Sequence, residues 1–101
     1  MEELTENVKM PTILWIGRYV IFFWSDESKP LESVHVHVAF GRPSANSAKL
    51  WITSDGKALL EHNKAMIPLK AMRRIIKVVE ERSTLIQAAW QEYFGEIHYI
   101  R

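Results

Sequence analysis

Apolar residues recur at every second position over the first two thirds of this chain and at every third or fourth position after Pro68, so the sequence divides into a strand-forming part and a helix-forming part. In the first part, Ile16-Gly17-Arg18-Tyr19 separates two apolar runs. A glycine followed by a polar residue suits the first central position of a type II′ turn, which predicts strands at about 12–16 and 19–25. In the second of these, Tyr19, Ile21 and Phe23 alternate with Val20, Phe22 and Trp24, so both faces are apolar and the strand is central. A polar loop with Pro30 leads to SVHVHVAF, a strand at about 34–40. GRPSANS at 41–47 is a further loop, Ala48–Thr53 a further strand, and the Asp55-Gly56 pair predicts a type I′ hairpin into a short strand at 58–61.

Beyond Pro68 the stripe Leu69, Met72, Ile76, Val79, Ile86, Trp90, Tyr93 is helical, with Ile75, Ala89 and Phe94 beside it. Pro68 suits the first helical position and Gly95 the stop. One unbroken helix over 68–94 would be roughly 40 Å long, against a radius of gyration of about 13 Å for a domain of this size. A kink or break near Ser83 is therefore expected. The terminal Glu96–Arg101 alternates weakly and suits an edge strand.

The expected fold is α+β: an antiparallel sheet of about four to five strands, with the long or kinked C-terminal helical segment packed on its valine face. One helical layer covers one face of one sheet, so the second apolar face of the central strand needs another cover. Either the tail around Ile97–Ile100 or a second copy of the chain supplies it, and a homodimer is the expectation.

Composition narrows the function only by exclusion. With 101 residues and average hydrophobic content, the chain suits one domain, residues 10–101. The acidic, core-poor segment 1–9 is expected to be a mobile extension. Zero cysteines removes thiolate chemistry and fits a reducing, cytoplasmic setting. The most apolar stretch, Ile13–Trp24, is shorter than the roughly 20 residues that span a bilayer, so no membrane association is expected. The net charge is +1, yet residues 64–82 carry Lys64, Lys70, Arg73, Arg74, Lys77 and Arg82 against Glu80 and Glu81. This basic segment suits RNA or an acidic partner, and equally a solvated helix face.

The two histidines in HVHV are the main candidates for chemistry. Alternation puts Val34, Val36, Val38 and Phe40 on one face and His35, His37 and Ala39 on the other. With Ala48, Leu50 and Ile52 inward on the next strand, Lys49, Trp51 and Thr53 fall on the histidine face. His35 and His37 with Lys49 would suit metal-independent RNA cleavage, one group taking the 2′-hydroxyl proton and another protonating the leaving oxygen. Trp51 could stack on a base. A metal reading lacks a third ligand, since Asp55, Glu61, His62 and His98 form no recognised spacing, so no metal or cofactor is expected. His62 and His98 read as loop or edge polar residues. The plain alternative is that both strand histidines make hydrogen bonds at a covered or partner-facing surface.

Taken together, MPTIL at Met10–Leu14, Tyr19, HVHV at His35–Val38 with Gly41 after it, Ala48-Lys49 opening a strand, and a late helix containing Trp90 resemble the small bacterial proteins of domain-of-unknown-function family 4160. The resemblance covers about residues 10–95. It departs from the family where Ser33-Val34, rather than two prolines, precede the first histidine. It implies no assigned activity, but a gene order in which a second small protein is encoded alongside, as in toxin–antitoxin pairs. Two expectations follow. The first is a non-catalytic binding or regulatory protein of a two-gene module, meeting a protein partner or RNA through the histidine face and Trp51 or through Lys70, Arg73, Arg74 and Lys77. The second is an RNA-cleaving toxin using His35 and His37.

Overall fold

The computed structural model describes residues 11–24 and 30–101, so the expected mobile extension at 1–9 lies outside the described residues. Five strands, β1 (Thr12–Ile16), β2 (Tyr19–Phe22), β3 (His35–Phe40), β4 (Ala48–Ile52) and β5 (Ala58–Asn63), form one antiparallel sheet in sequence order. Two helices follow, α1 (Leu69–Glu81) and α2 (Ser83–Phe94). The fold is α+β, as the change of period predicts.

Turn chemistry explains the hairpins. At the β1–β2 turn Gly17 has φ +60° while Arg18 stays at negative φ, the pattern of a type II′ turn. The β4–β5 connection differs from the expected type I′ turn, because Gly56 alone takes positive φ, +88°. Gly56 N–H donates to Thr53 O at 3.0 Å and Thr53 N–H to Lys57 O at 2.8 Å. This is a longer loop closed by a left-handed glycine, and the hydroxyl of Thr53 keeps it rigid by accepting from Lys57 N–H at 2.9 Å and donating to the Asp55 carboxylate. That carboxyl is held below its ordinary pKa, chiefly by the Thr53 hydrogen bond.

The helices pack on the valine face. Met72, Ile75, Val79, Ile86 and Trp90 join Ile21, Phe23, Val36, Val38, Leu50 and Ile52 in one buried cluster. The buried stripe thus runs through Ile75 rather than Ile76, which is half-buried, and leaves Leu69 and Tyr93 exposed at its two ends. It continues across the break at Arg82 into Ser83, which is buried against the Gly56 loop. Breaking the helix there lets both pieces lie along a sheet shorter than their summed length. Glu80 ties α1 to the sheet by accepting from Ala58 N–H at 3.0 Å. Gly95, at φ +88°, ends α2 as expected, its N–H donating to Gln91 O at 2.8 Å.

The tail forms no strand, but it is tied to the end of the sheet: Val34 N–H donates to His98 O at 2.8 Å and Ser54 N–H to Arg101 O at 2.9 Å. Ile97 packs on the main core, so the tail is not the cover of the outer face. Val20, Phe22 and Ala39 on that face form a second buried cluster with Trp24 beside it. Their burial is complete within a single chain and does not itself require a second subunit.

Candidate functional site

Register places the predicted residues on one face. His35 pairs with Trp51 and His37 with Lys49 across β3–β4, so the two histidines, the lysine and the tryptophan share the outer side, opposite the valines. Both histidines are nonetheless buried, His35 completely and His37 with 8% of its surface exposed. The His35 ring lies between Trp51 at 5.4 Å, Trp90 at 5.2 Å and His37 at 5.0 Å. Its Nδ1–H donates to Ser33 O at 2.8 Å, and since a carbonyl only accepts, that bond fixes the proton on Nδ1. His37 stacks on Phe22 at 5.5 Å and shares a 3.2 Å hydrogen bond between Nδ1 and Ser47 Oγ.

The open part of this face is a cleft of about 240 Å³ lined by Trp24, His37, Ala45, Ser47, Lys49, His62 and Lys64. His62 enters it because β5 carries a bulge: Leu50 pairs with Leu60 but Lys49 pairs with His62, leaving Glu61 as the extra residue. His62 is thus an edge-strand residue, one of the two places expected for it, and from there it faces His37 and Lys49. Lys64, exposed, stands in the turn after β5, which is closed where the Asn63 amide donates to Ile67 O at 2.9 Å and accepts from Ile67 N–H at 3.0 Å. Strain at Met66, φ +58°, accompanies that tight closure.

Electrostatics differ along the cleft. Lys49, largely buried, bonds Glu32 at 2.9 Å and lies 4.3 Å over the Trp51 ring. Trp51 is in turn held by its indole N–H donating to Glu61 at 2.7 Å. His62 is held below the ordinary histidine pKa, first by burial and then by Lys64, Lys49 and His37, which outweigh the opposite pull of Glu61. Its Nδ1 is enclosed without a hydrogen-bond partner, so a proton placed there would have no acceptor.

Not all the expected binding residues meet here. Lys70, Arg73, Arg74 and Lys77 are exposed on α1, the layer that covers the valine face, so the sheet separates them from the histidine cleft. Their helix buries Met72, Ile75 and Val79 and leaves these four in solvent. Alternation places Trp24 on the face of Val20 and Phe22, which proves to be the histidine face, while Ser47, His62 and Lys64 are cleft residues that it does not reach. A larger hollow of about 410 Å³ lies at the β4–β5 hairpin, but its Thr53, Asp55 and Lys57 are bonded to one another within the loop. Among the described residues, no three His, Asp or Glu side chains gather as a metal-holding group, and no helix is long and apolar enough to cross a membrane.

Searches of the curated proteins and of the solved structures each return no match. A family model described as "Domain of unknown function (DUF4160)" matches residues 19–91. That interval holds the central strand, both β3 histidines, the Ala48-Lys49 strand opening and Trp90, and it leaves Met10–Leu14 outside. Strands β2 to β5, the histidine face and most of the late helix thus fall within the match, while β1 lies before it, and the chain belongs to this DUF4160 family.

Proposed function

We propose that this protein is a non-catalytic binding component of a two-gene, toxin–antitoxin-like module, and that the outer face of its sheet receives the ligand or partner. The burial of His35 carries the reading. An acid–base pair for RNA cleavage needs both groups within hydrogen-bonding reach of the substrate, whereas His35 has no exposed surface and its Nδ1 proton is committed to Ser33. What the face does expose is a recessed set of cationic and aromatic groups, an arrangement suited to recognition. The two-gene setting is supported by the family resemblance alone.

The test pairs two measurements on the purified protein. Co-expression with the product of the adjoining gene should yield a complex that is weakened by substitutions in the cleft, such as Lys64→Glu. Incubation with structured and unstructured RNA in the presence of EDTA should leave the RNA intact. Fragments released by the parent protein and abolished in His37→Ala would instead establish the RNA-cleaving toxin.

A further inference from the structure

We infer that the cleft among Trp24, His37, Lys49, His62 and Lys64 holds a phosphodiester group of a single-stranded nucleic acid, with Lys64 and His62 meeting the phosphate and Trp24 offering a ring face to a neighbouring base. The inference deepens the binding-protein reading and rests on it. Three observations carry it.

The first is the sign of the lining. Among the described residues, every ionisable side chain that lines the cleft is basic: His37, Lys49, His62 and Lys64. Of the described carboxylates near it, Glu32 is bonded to Lys49 and offsets that one charge, while Glu61 is held on the Trp51 indole. Among the described residues, no carboxylate pairs with Lys64. The groups that act on His62 from the packed elements are His37 of β3, Lys49 of β4, Lys64 beyond β5, and Glu61 on its own strand. After burial, Lys64 and Lys49 act on His62 more strongly than Glu61 does, and Lys64, without a described carboxylate partner, is placed to meet an anion entering the cleft.

The second is size. At about 240 Å³ the cleft is smaller than the roughly 300–1,000 Å³ of sites that enclose a whole small molecule. It suits one group of a longer chain, the remainder of which runs along the sheet.

The third is the aromatic wall. Trp24 lies 6.0 Å from Phe22 and 5.7 Å from His37, so its ring is braced before any ligand arrives. Half-buried Trp51 stands further along the same face, similarly braced by Glu61 and Lys49. Aromatic platforms beside a basic groove are how single strands are bound without sequence reading, and an acidic peptide has no use for them.

A bound phosphate would favour the charged form of His62, so binding takes up a proton. A phosphodiester does not itself titrate near neutrality, which makes this uptake attributable to the protein.

The experiment is fluorescence anisotropy with a labelled single-stranded pentauridylate, between about pH 5.5 and 8 around the ordinary histidine value, and over a range of salt. Inorganic phosphate and pentaglutamate serve as competitors. The parent should bind more tightly as pH falls. Lys64→Ala should weaken binding several-fold and lower the salt slope by about 0.7, the value for one phosphate contact on a single strand. His62→Gln should flatten the pH dependence, and Lys70→Gln/Arg73→Gln/Arg74→Gln/Lys77→Gln should bind as the parent does. Absence of binding by folded protein, unchanged binding by both cleft variants, or loss of binding in the α1 variant would each overturn the site. Competition by pentaglutamate equal to that of unlabelled RNA would make it an acidic-protein site instead. Displacement by inorganic phosphate as tight as by RNA would remove the nucleic acid as its source. Cleavage of the bound RNA, with Lys64 dependence retained, would support the site while ending the non-catalytic reading.

Discussion

The imidazole of His35 lies 5.2 Å from the indole of Trp90, and neither side chain has any exposed surface. A polar ring at the start of β3 is thereby locked to the last helix, with its Nδ1 proton on Ser33 O. His35→Ala removes the packing and leaves that carbonyl without its donor, so a loss of about 2–4 kcal/mol is expected. For a domain of this size such a loss lowers the melting temperature by well over 5 °C, roughly 4–8 °C per kcal/mol. Calorimetry decides it, and a melting point within a degree or two of the parent would refute the structural role.

Trp90 anchors more than that contact. Its ring also lies 5.1 Å from Phe23 and 4.3 Å from Phe94, at the centre of the main core. Trp90→Ala should cost about 3–5 kcal/mol, measured by urea unfolding. Trp90→Phe, which keeps a ring and removes an indole N–H that has no partner, should recover much of the loss.

Gly56 is constrained twice over. Its φ of +88° disfavours any side chain, and an added Cβ would lie 2.8 Å from Ser83 Oγ. Gly56→Ala should therefore destabilise by at least the left-handed penalty of about 1–2 kcal/mol. Combining it with Ser83→Ala should relieve the steric part alone, and strictly additive losses in a double-mutant cycle would argue against the contact.

His62 gives a pH signature in the free protein. Its folded pKa is lowered, so its contribution to stability is fully present above the unfolded value of about 6.5 and is lost as pH falls through the folded value. An NMR titration should place its midpoint below the ordinary histidine value, and Lys64→Ala should move it upward. A midpoint at or above the ordinary value would contradict the combined effect of burial and Lys64 on this ring.

The basic face of α1 is predicted to be inert in stability. Lys70, Arg73, Arg74 and Lys77 have no described salt bridge and sit in solvent, so replacing all four with glutamine should change unfolding free energy by less than about 1 kcal/mol. A large loss on urea titration would reveal packing by their aliphatic stems.

Alternation made most of the sheet readable, because a period of two assigns a face to every residue as long as the ladder is regular. His35, His37, Lys49 and Trp51 fall together for that reason. The same rule fails at β5, where the extra residue Glu61 shifts the phase and brings His62 to the outer face, and no local pattern in ALLEHN announces it. The helix break was legible from length against domain size, but the buried stripe was not resolved between Ile75 and Ile76, adjacent positions whose choice depends on how α1 is rotated against the sheet. The burial of His35 was out of reach, since it depends on Trp90, 55 positions later in the chain.

The bulge at Glu61 also bears on chain length. Leu60 pairs with Leu50 and His62 with Lys49, so removing Glu61 would join two residues that already point to opposite sides and would leave a regular ladder. The strand can therefore be one residue shorter without turning His62 away from His37. Trp51 would lose the carboxylate that holds its indole. Relatives with a single-residue gap at this position should keep the imidazole in the cleft while freeing the tryptophan beside it, so natural length variation here would separate two neighbouring parts of one surface.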